Sequence, residues 1–152
     1  MFPALLPESA VAHAPLRAHA QMGGWPPTLL VVDSDVEMAR TLVCFFEKRR
    51  FHVAAGSSLA DAKMFFHRRK SWTLIIADCH LTDGTGEELY DWIREQGCDA
   101  PVLLMSASPH CASAYAGVDF LAKPFPMEKL EAYVRMVSAA VKLPAAGAAA
   151  FA

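Results

Sequence analysis

Five short apolar runs recur along the chain, and most of them show no polar alternation: TLLVVD (28–33), FHVAA (51–55), TLIIAD (73–78), PVLLMS (101–106) and DFLAK (119–123). A strand with one wet face alternates, so such runs predict strands buried on both faces, the environment of a parallel sheet covered by helices. The segments between them carry a helical period. Val36, Ala39, Leu42, Val43 and Phe46 share one stripe, as do Leu59, Ala62 and Phe66, then Leu89, Trp92 and Ile93, and finally Leu130, Tyr133, Val134 and Val137. In SSLAD, Ser58 stands three residues before Asp61, the spacing of a capping box at a helix start. Strands interleaved with helices in this way predict an α/β domain built on a doubly wound five-stranded parallel sheet.

The 152 residues suit one such domain. An Ala/Pro-rich leader over 1–27, broken by Pro3, Pro7 and Pro15, and an Ala-rich tail over 143–152 are expected to be disordered, leaving a folded domain over 28–142. LRAHAQM contains an A-x-A triplet, but no positive charge precedes it early in the chain, so a secretory signal is not expected. A formal net charge of −2 points to neither nucleic acid nor an anionic membrane. No run of about 18 apolar residues is present, so no spanning helix is expected. Cys44, Cys79, Cys98 and Cys111 are scattered without a CxxC pair, which reads as the reduced thiols of a cytoplasmic protein. The basic clusters EKRR (47–50) and HRRK (67–70) fall at predicted helix C-termini, where they complement the helix dipoles and read as solvated ends.

In a doubly wound sheet, ligands bind outside the carboxyl ends of the strands. Four of the five runs end there in groups able to do chemistry: Asp33, Asp78, Ser106 and Lys123. Two acids, a hydroxyl and an amine on one edge form a candidate reaction site. Asp78 is the most telling, because a carboxylate at the mouth of a buried strand costs stability unless something there uses it.

LLVVDSD, LIIADCHLTDGTG, PVLLMSAS and FLAKPF, in that order and one per predicted strand, resemble the signature segments of the receiver domain of bacterial two-component response regulators. The resemblance runs from about Thr28 to Val137. It implies the flavodoxin-like receiver fold with strand order 2-1-3-4-5, and transfer of a phosphoryl group from a histidine kinase or phosphotransfer protein to Asp78. Such chemistry needs positive charge around an incoming dianion. The resemblance implies Mg²⁺ held by Asp33, Asp78 and the backbone carbonyl of His80, with Lys123 on the phosphoryl oxygens. It also implies that Ser106 donates to the new phosphate and that Phe120, three residues before the lysine, swings into the vacated space. His80 and Ser108 are candidates for governing phosphate lifetime. Gly84 and Gly86 are expected to let the TDGTG loop turn tightly beside the acid.

Three departures qualify that expectation. The family's usual pair of acids after the first strand is here Asp33–Ser34, which predicts weaker Mg²⁺ binding. Asp35 either reaches into the metal site or caps the first helix. His80 either acts on the phosphate or faces solvent. The interval from Ser106 to Lys123 is shorter than the family's by about five residues, more than one helical turn, and the loss falls in SPHCASAYAGV, where a fourth helix belongs.

No output module follows Val137, so a stand-alone regulator is expected, signalling by phosphorylation-dependent binding to a protein target, with no nucleic acid and no membrane. Two rival readings stand beside this one. A degenerate receiver would serve as a phosphorylation-independent docking module. Alternatively, Cys79–His80 and His110–Cys111 on one sheet edge would form a metal or redox sensor. Nucleotide-binding enzymes of similar fold are disfavoured, since neither GxGxxG nor GxxxxGK[ST] occurs.

Overall fold

A computed structural model describes residues 26–69, 71–108 and 118–151. Its main sheet contains β1 (Thr28–Val32), β2 (His52–Gly56), β3 (Leu74–Asp78), β6 (Val102–Ser106) and β7 (Asp119–Ala122). These strands lie in the order β2-β1-β3-β6-β7, all parallel, which is 2-1-3-4-5 when only the sheet strands are counted. Each observed strand falls within one residue of its apolar run. Two further strands, β4 (His80–Leu81) and β5 (Gly84–Thr85), form a small antiparallel ladder pairing His80 with Thr85 and Leu81 with Gly84. Two residues per strand are too few to show a period, so this stretch of sequence reads only as a loop.

Among the described residues, four helices cover the sheet: α1 (Val36–Glu47), α2 (Leu59–Arg68), α3 (Gly86–Glu95) and α4 (Met127–Phe151). Side chains alternate across the strands into two cores. Leu29, Val31, Ile76, Leu103 and Met105 meet Leu42, Phe46, Leu130 and Val134 on one face. Leu30, Val32, Ile75, Ala77 and Leu104 meet Ala62, Phe66, Leu89 and Ile93 on the other. Both faces are therefore dry, which is why the runs lack alternation.

Helix starts are set by short polar side chains. Asp35 Oδ1 accepts from the Glu37 and Met38 amides and caps α1, which answers the question its position raises. At α2, Ser58 Oγ accepts from the Asp61 amide as expected, but Asp61 Oδ2 reaches Ser57 N at 3.0 Å, so the reciprocal half of the box falls on the neighbouring residue. The full capping box is at α3, where Thr85 and Glu88 each accept from the other's amide.

Two expectations change. Arg49 is no solvated helix end: its guanidinium lies 3.5 Å from the Phe45 ring centre and bonds Glu131 at 2.8 Å, joining α1 to α4. The backbone of α4 continues to Phe151, across residues expected to be disordered. The leader to residue 25 and the fourth-helix segment over 109–117, with His110 and Cys111, lie outside the described residues.

Candidate functional site

The register of the sheet brings the four strand-end residues to one edge. Asp78 ends β3 opposite Met105 of β6, and Ser106 ends β6 opposite Ala122 of β7. Lys123 N then bonds Ser106 O at 2.9 Å, extending that pairing by one residue, and the Lys123–Pro124 bond is cis. Asp33 N bonds Gly56 O at 3.0 Å and extends β1 in the same way. Asp33, Asp78 and Ser106 are all buried, with Asp33 wholly inaccessible.

Lys123 ties the acids together. Its Nζ donates to Asp33 Oδ2 at 2.8 Å and to Asp78 Oδ2 at 3.3 Å. Ser34 Oγ donates to the same Asp78 oxygen at 3.4 Å, and His80 N donates to Asp78 Oδ1 at 3.2 Å. The other Asp33 oxygen accepts from Asp35 N at 2.8 Å. Ser34 thus meets the Asp78 carboxylate as a hydrogen-bond donor.

Burial pushes the Asp33 carboxyl above the ordinary carboxylate range, outweighing the Lys123 and Asp35 hydrogen bonds that pull it down, and the Asp78 charge adds to the rise. For Lys123, burial favours the neutral amine, but the carboxylates of Asp33 and Asp78 together outweigh it and hold the ammonium above its usual range. Two carboxylates facing one ammonium leave the edge negative. Such an edge attracts a hard cation, and two carboxylates completed by carbonyl and water oxygens match the ordinary Mg²⁺ donor set. Among the described residues, no group of three or more His, Cys, Asp or Glu side chains converges to hold a metal.

The remaining candidates are placed nearby to different degrees. Ser106 Oγ accepts from Ser108 N at 2.9 Å, which fixes the hydroxyl within its own loop. Phe120 is half-buried and packs against the core that contains Leu104 and Leu89. His80 is exposed while its amide faces Asp78, and Cys79 beside it is buried. Asp35 turns its Oδ1 to the α1 cap.

The glycines act differently from the expectation of a tight turn. Neither Gly84 nor Gly86 has positive φ. A Cβ on Gly86 would lie 2.6 Å from the Asp78 carbonyl oxygen and 3.0 Å from Leu104 Cδ2. Gly86 is therefore the point at which α3 packs directly on the backbone of Asp78. Sequence reasoning also missed Asp83, whose carboxylate bonds the Leu59 and Ala60 amides of α2 at 2.6 and 3.0 Å. No local signal marks a cap supplied from another element.

Comparison with known proteins identifies the fold and the family. The model of the response regulator receiver domain matches residues 29–135. The photosynthetic apparatus regulatory protein RegA of Rhodovulum sulfidophilum is 34% identical over 112 residues, covering 66% of this chain and 57% of RegA. The transcriptional regulatory protein VxrB of Vibrio cholerae is 30% identical over 129 residues, covering 78% of this chain and 51% of VxrB. The chain thus spans about half the length of these curated relatives. A receiver domain protein from Clostridium thermocellum has the same fold, with a TM-score of 0.70 at 18% identity over 77% of this chain and 98% of that one. So does TrrA of Thermotoga maritima, solved in complex with Mg²⁺-BeF, with a TM-score of 0.66 at 22% identity over 73% of this chain and 98% of TrrA. The match covers every strand and helix that positions the acidic edge, and the chain belongs to the receiver domain family of two-component response regulators.

Proposed function

We propose that Asp78 accepts a phosphoryl group from a histidine kinase or phosphotransfer protein, and that the domain signals by phosphorylation-dependent binding to a protein target. The observation that carries this reading is the Asp78 carboxylate held between Lys123 and Ser34 at the strand ends. An Asp78 oxygen attacks phosphorus, the bond from phosphorus to the donor nitrogen breaks, and the electron pair leaves with the imidazole. Lys123 exchanges its 3.3 Å contact with Asp78 for the phosphoryl oxygens, keeping a cation against the transferred charge. Asp33, Asp78 and the His80 carbonyl would hold Mg²⁺, which supplies further neutralisation of the dianion. Ser106 would give its hydroxyl to the phosphate, and Phe120, at the edge of its core, would move inward behind it. A packing switch of that kind needs no phenol hydroxyl. His80, exposed next to the acceptor, and Ser108 would modulate access of water. A histidine-kinase donor and the thiol state of Cys44 and Cys98 both suit the cytoplasm.

Ser34 favours a second reading, a receiver that docks without phosphate, because it removes one carboxylate from the edge. The Cys/His sensor has less support, since Cys79 is buried while His80 points outward. The deciding experiment is intact mass after incubation with Mg²⁺ and a small-molecule phosphodonor, beside Asp78→Asn. One added phosphoryl group, dependent on metal and lost in the variant, is the expected result. An unmodified but folded protein would leave the docking reading in its place.

A further inference from the structure

We infer that Asp83 is a positioning residue for the acceptor: it ties the tip of the β4–β5 arm to α2 and so holds the His80 backbone against Asp78. The arm is anchored at its base by Cys79 N on Met105 O at 2.8 Å, Gly86 N on Cys79 O at 3.1 Å and His80 N on Asp78 Oδ1 at 3.2 Å. Between base and tip it has only the two residue pairs of the ladder. A two-stranded ladder this short does not hold its own shape in water. The tip needs a second attachment, and Asp83 supplies it.

The two oxygens of Asp83 take separate amides of the first turn of α2, Leu59 N at 2.6 Å and Ala60 N at 3.0 Å. Those amides have no partner within their own helix. Ser58 serves a different donor, Asp61 N at 3.0 Å, so the two caps divide the turn between them. Close approach of arm and helix has a second signature. A Cβ on Gly84 would come 2.9 Å from Leu59 Cδ2, so the residue after Asp83 lies directly against the first residue of α2. The carboxylate also lies on the positive end of the α2 dipole, which strengthens the bond. His80 sits on this arm, and its amide is the one backbone donor shown on the acceptor carboxylate among the described residues. A tip freed from α2 lets that amide drift, and with it the carbonyl proposed above as a metal ligand. Only this last consequence rests on the proposed phosphoryl-acceptor reading.

The test compares Asp83→Ala, Asp83→Asn and Ser58→Ala in the full chain. Both alanine variants strip a cap from the same helix turn, but only Asp83→Ala cuts the tether. Two measurements need neither metal nor phosphate: amide hydrogen exchange over residues 79–86 and the amide resonance of His80. Asp83→Ala should exchange about threefold or more faster there and shift the His80 resonance. Ser58→Ala should leave both as in the wild type, and Asp83→Asn, which keeps one acceptor oxygen, should fall between. A third measurement reads the consequence: the Mg²⁺ concentration that half-shifts the His80 amide should rise by about tenfold in Asp83→Ala alone. Unchanged exchange in Asp83→Ala would overturn the tether. Faster exchange with an unmoved His80 resonance would overturn the positioning role. A wild type that ignores Mg²⁺ counts against the metal-dependent reading of the site, while exchange and resonance still decide the role of Asp83.

Discussion

Asp33 is buried and held at a cost. Burial raises its carboxyl more than the Lys123 ammonium lowers it, so ionising it in the folded chain works against stability at neutral pH. Asp33→Asn removes that charge while leaving Lys123 paired with Asp78. The raised carboxyl predicts that the variant unfolds at higher urea than the wild type at neutral pH. The pH dependence has a definite sign. A group with a raised folded value gives stability that is present below its unfolded value and lost as pH rises through the folded one. The advantage of Asn over Asp should be full at neutral pH, shrink as pH falls through the folded Asp33 value, and vanish below the usual 3.8. Urea unfolding of both proteins at several pH values measures this directly. An advantage that does not change with pH would show that it comes from packing rather than from the charge. The same substitution should remove the metal-dependent phosphorylation proposed above, the usual exchange of stability for a working site.

Elements differ in how much of them a sequence displays. The strands were legible because burial on both faces leaves an uninterrupted apolar run, and the run stops where the edge becomes polar. Asp33, Asp78, Ser106 and Lys123 could be read as one site for that reason alone. Helix faces were legible too: Ala39, Leu42, Val43 and Phe46 are the buried residues of α1, as their spacing indicates. Contacts between elements were not. The choice of Asp35 between metal and cap depends on where α1 begins, and the Arg49–Glu131 bond joins residues 82 apart in sequence. Gly86 shows the same limit, since its small size matters only because Asp78 lies behind it. Gly86→Ala would place a methyl 2.6 Å from the Asp78 carbonyl oxygen, with backbone on one side and the Leu104 side chain on the other. The expected cost is about 1–3 kcal/mol, the range for overpacking a closed site. It should appear as a lower urea midpoint at unchanged slope, because the surface exposed on unfolding stays the same. A midpoint equal to that of the wild type would mean that α3 slides away from Asp78 freely.

At the scale of the whole molecule, the acidic edge is coupled to global stability through mass action. A cation that binds Asp33 and Asp78 together in the folded chain finds no such pair in the unfolded one, so binding must raise the unfolding free energy. At a free Mg²⁺ concentration ten times the dissociation constant the gain is about 1.4 kcal/mol. For a domain near 100 residues that moves the melting midpoint by roughly 5–10 °C, which a thermal scan resolves. Ser34 makes the effect adjustable. Its hydroxyl reaches Asp78 Oδ2 at 3.4 Å, so Ser34→Asp would put a third carboxylate beside the other two. Without metal, that added charge repels Asp33 and Asp78 and should lower the midpoint below that of the wild type. With saturating Mg²⁺, the order should reverse, because three carboxylates bind the cation more tightly than two. Asp33→Asn should respond least. Crossing melting curves for wild type and Ser34→Asp as Mg²⁺ rises would show that the residue at position 34 tunes the metal dependence of the edge. Parallel curves, with Asp33→Asn shifting equally, would mean that Mg²⁺ acts on the surface charge of the molecule and not at the strand ends.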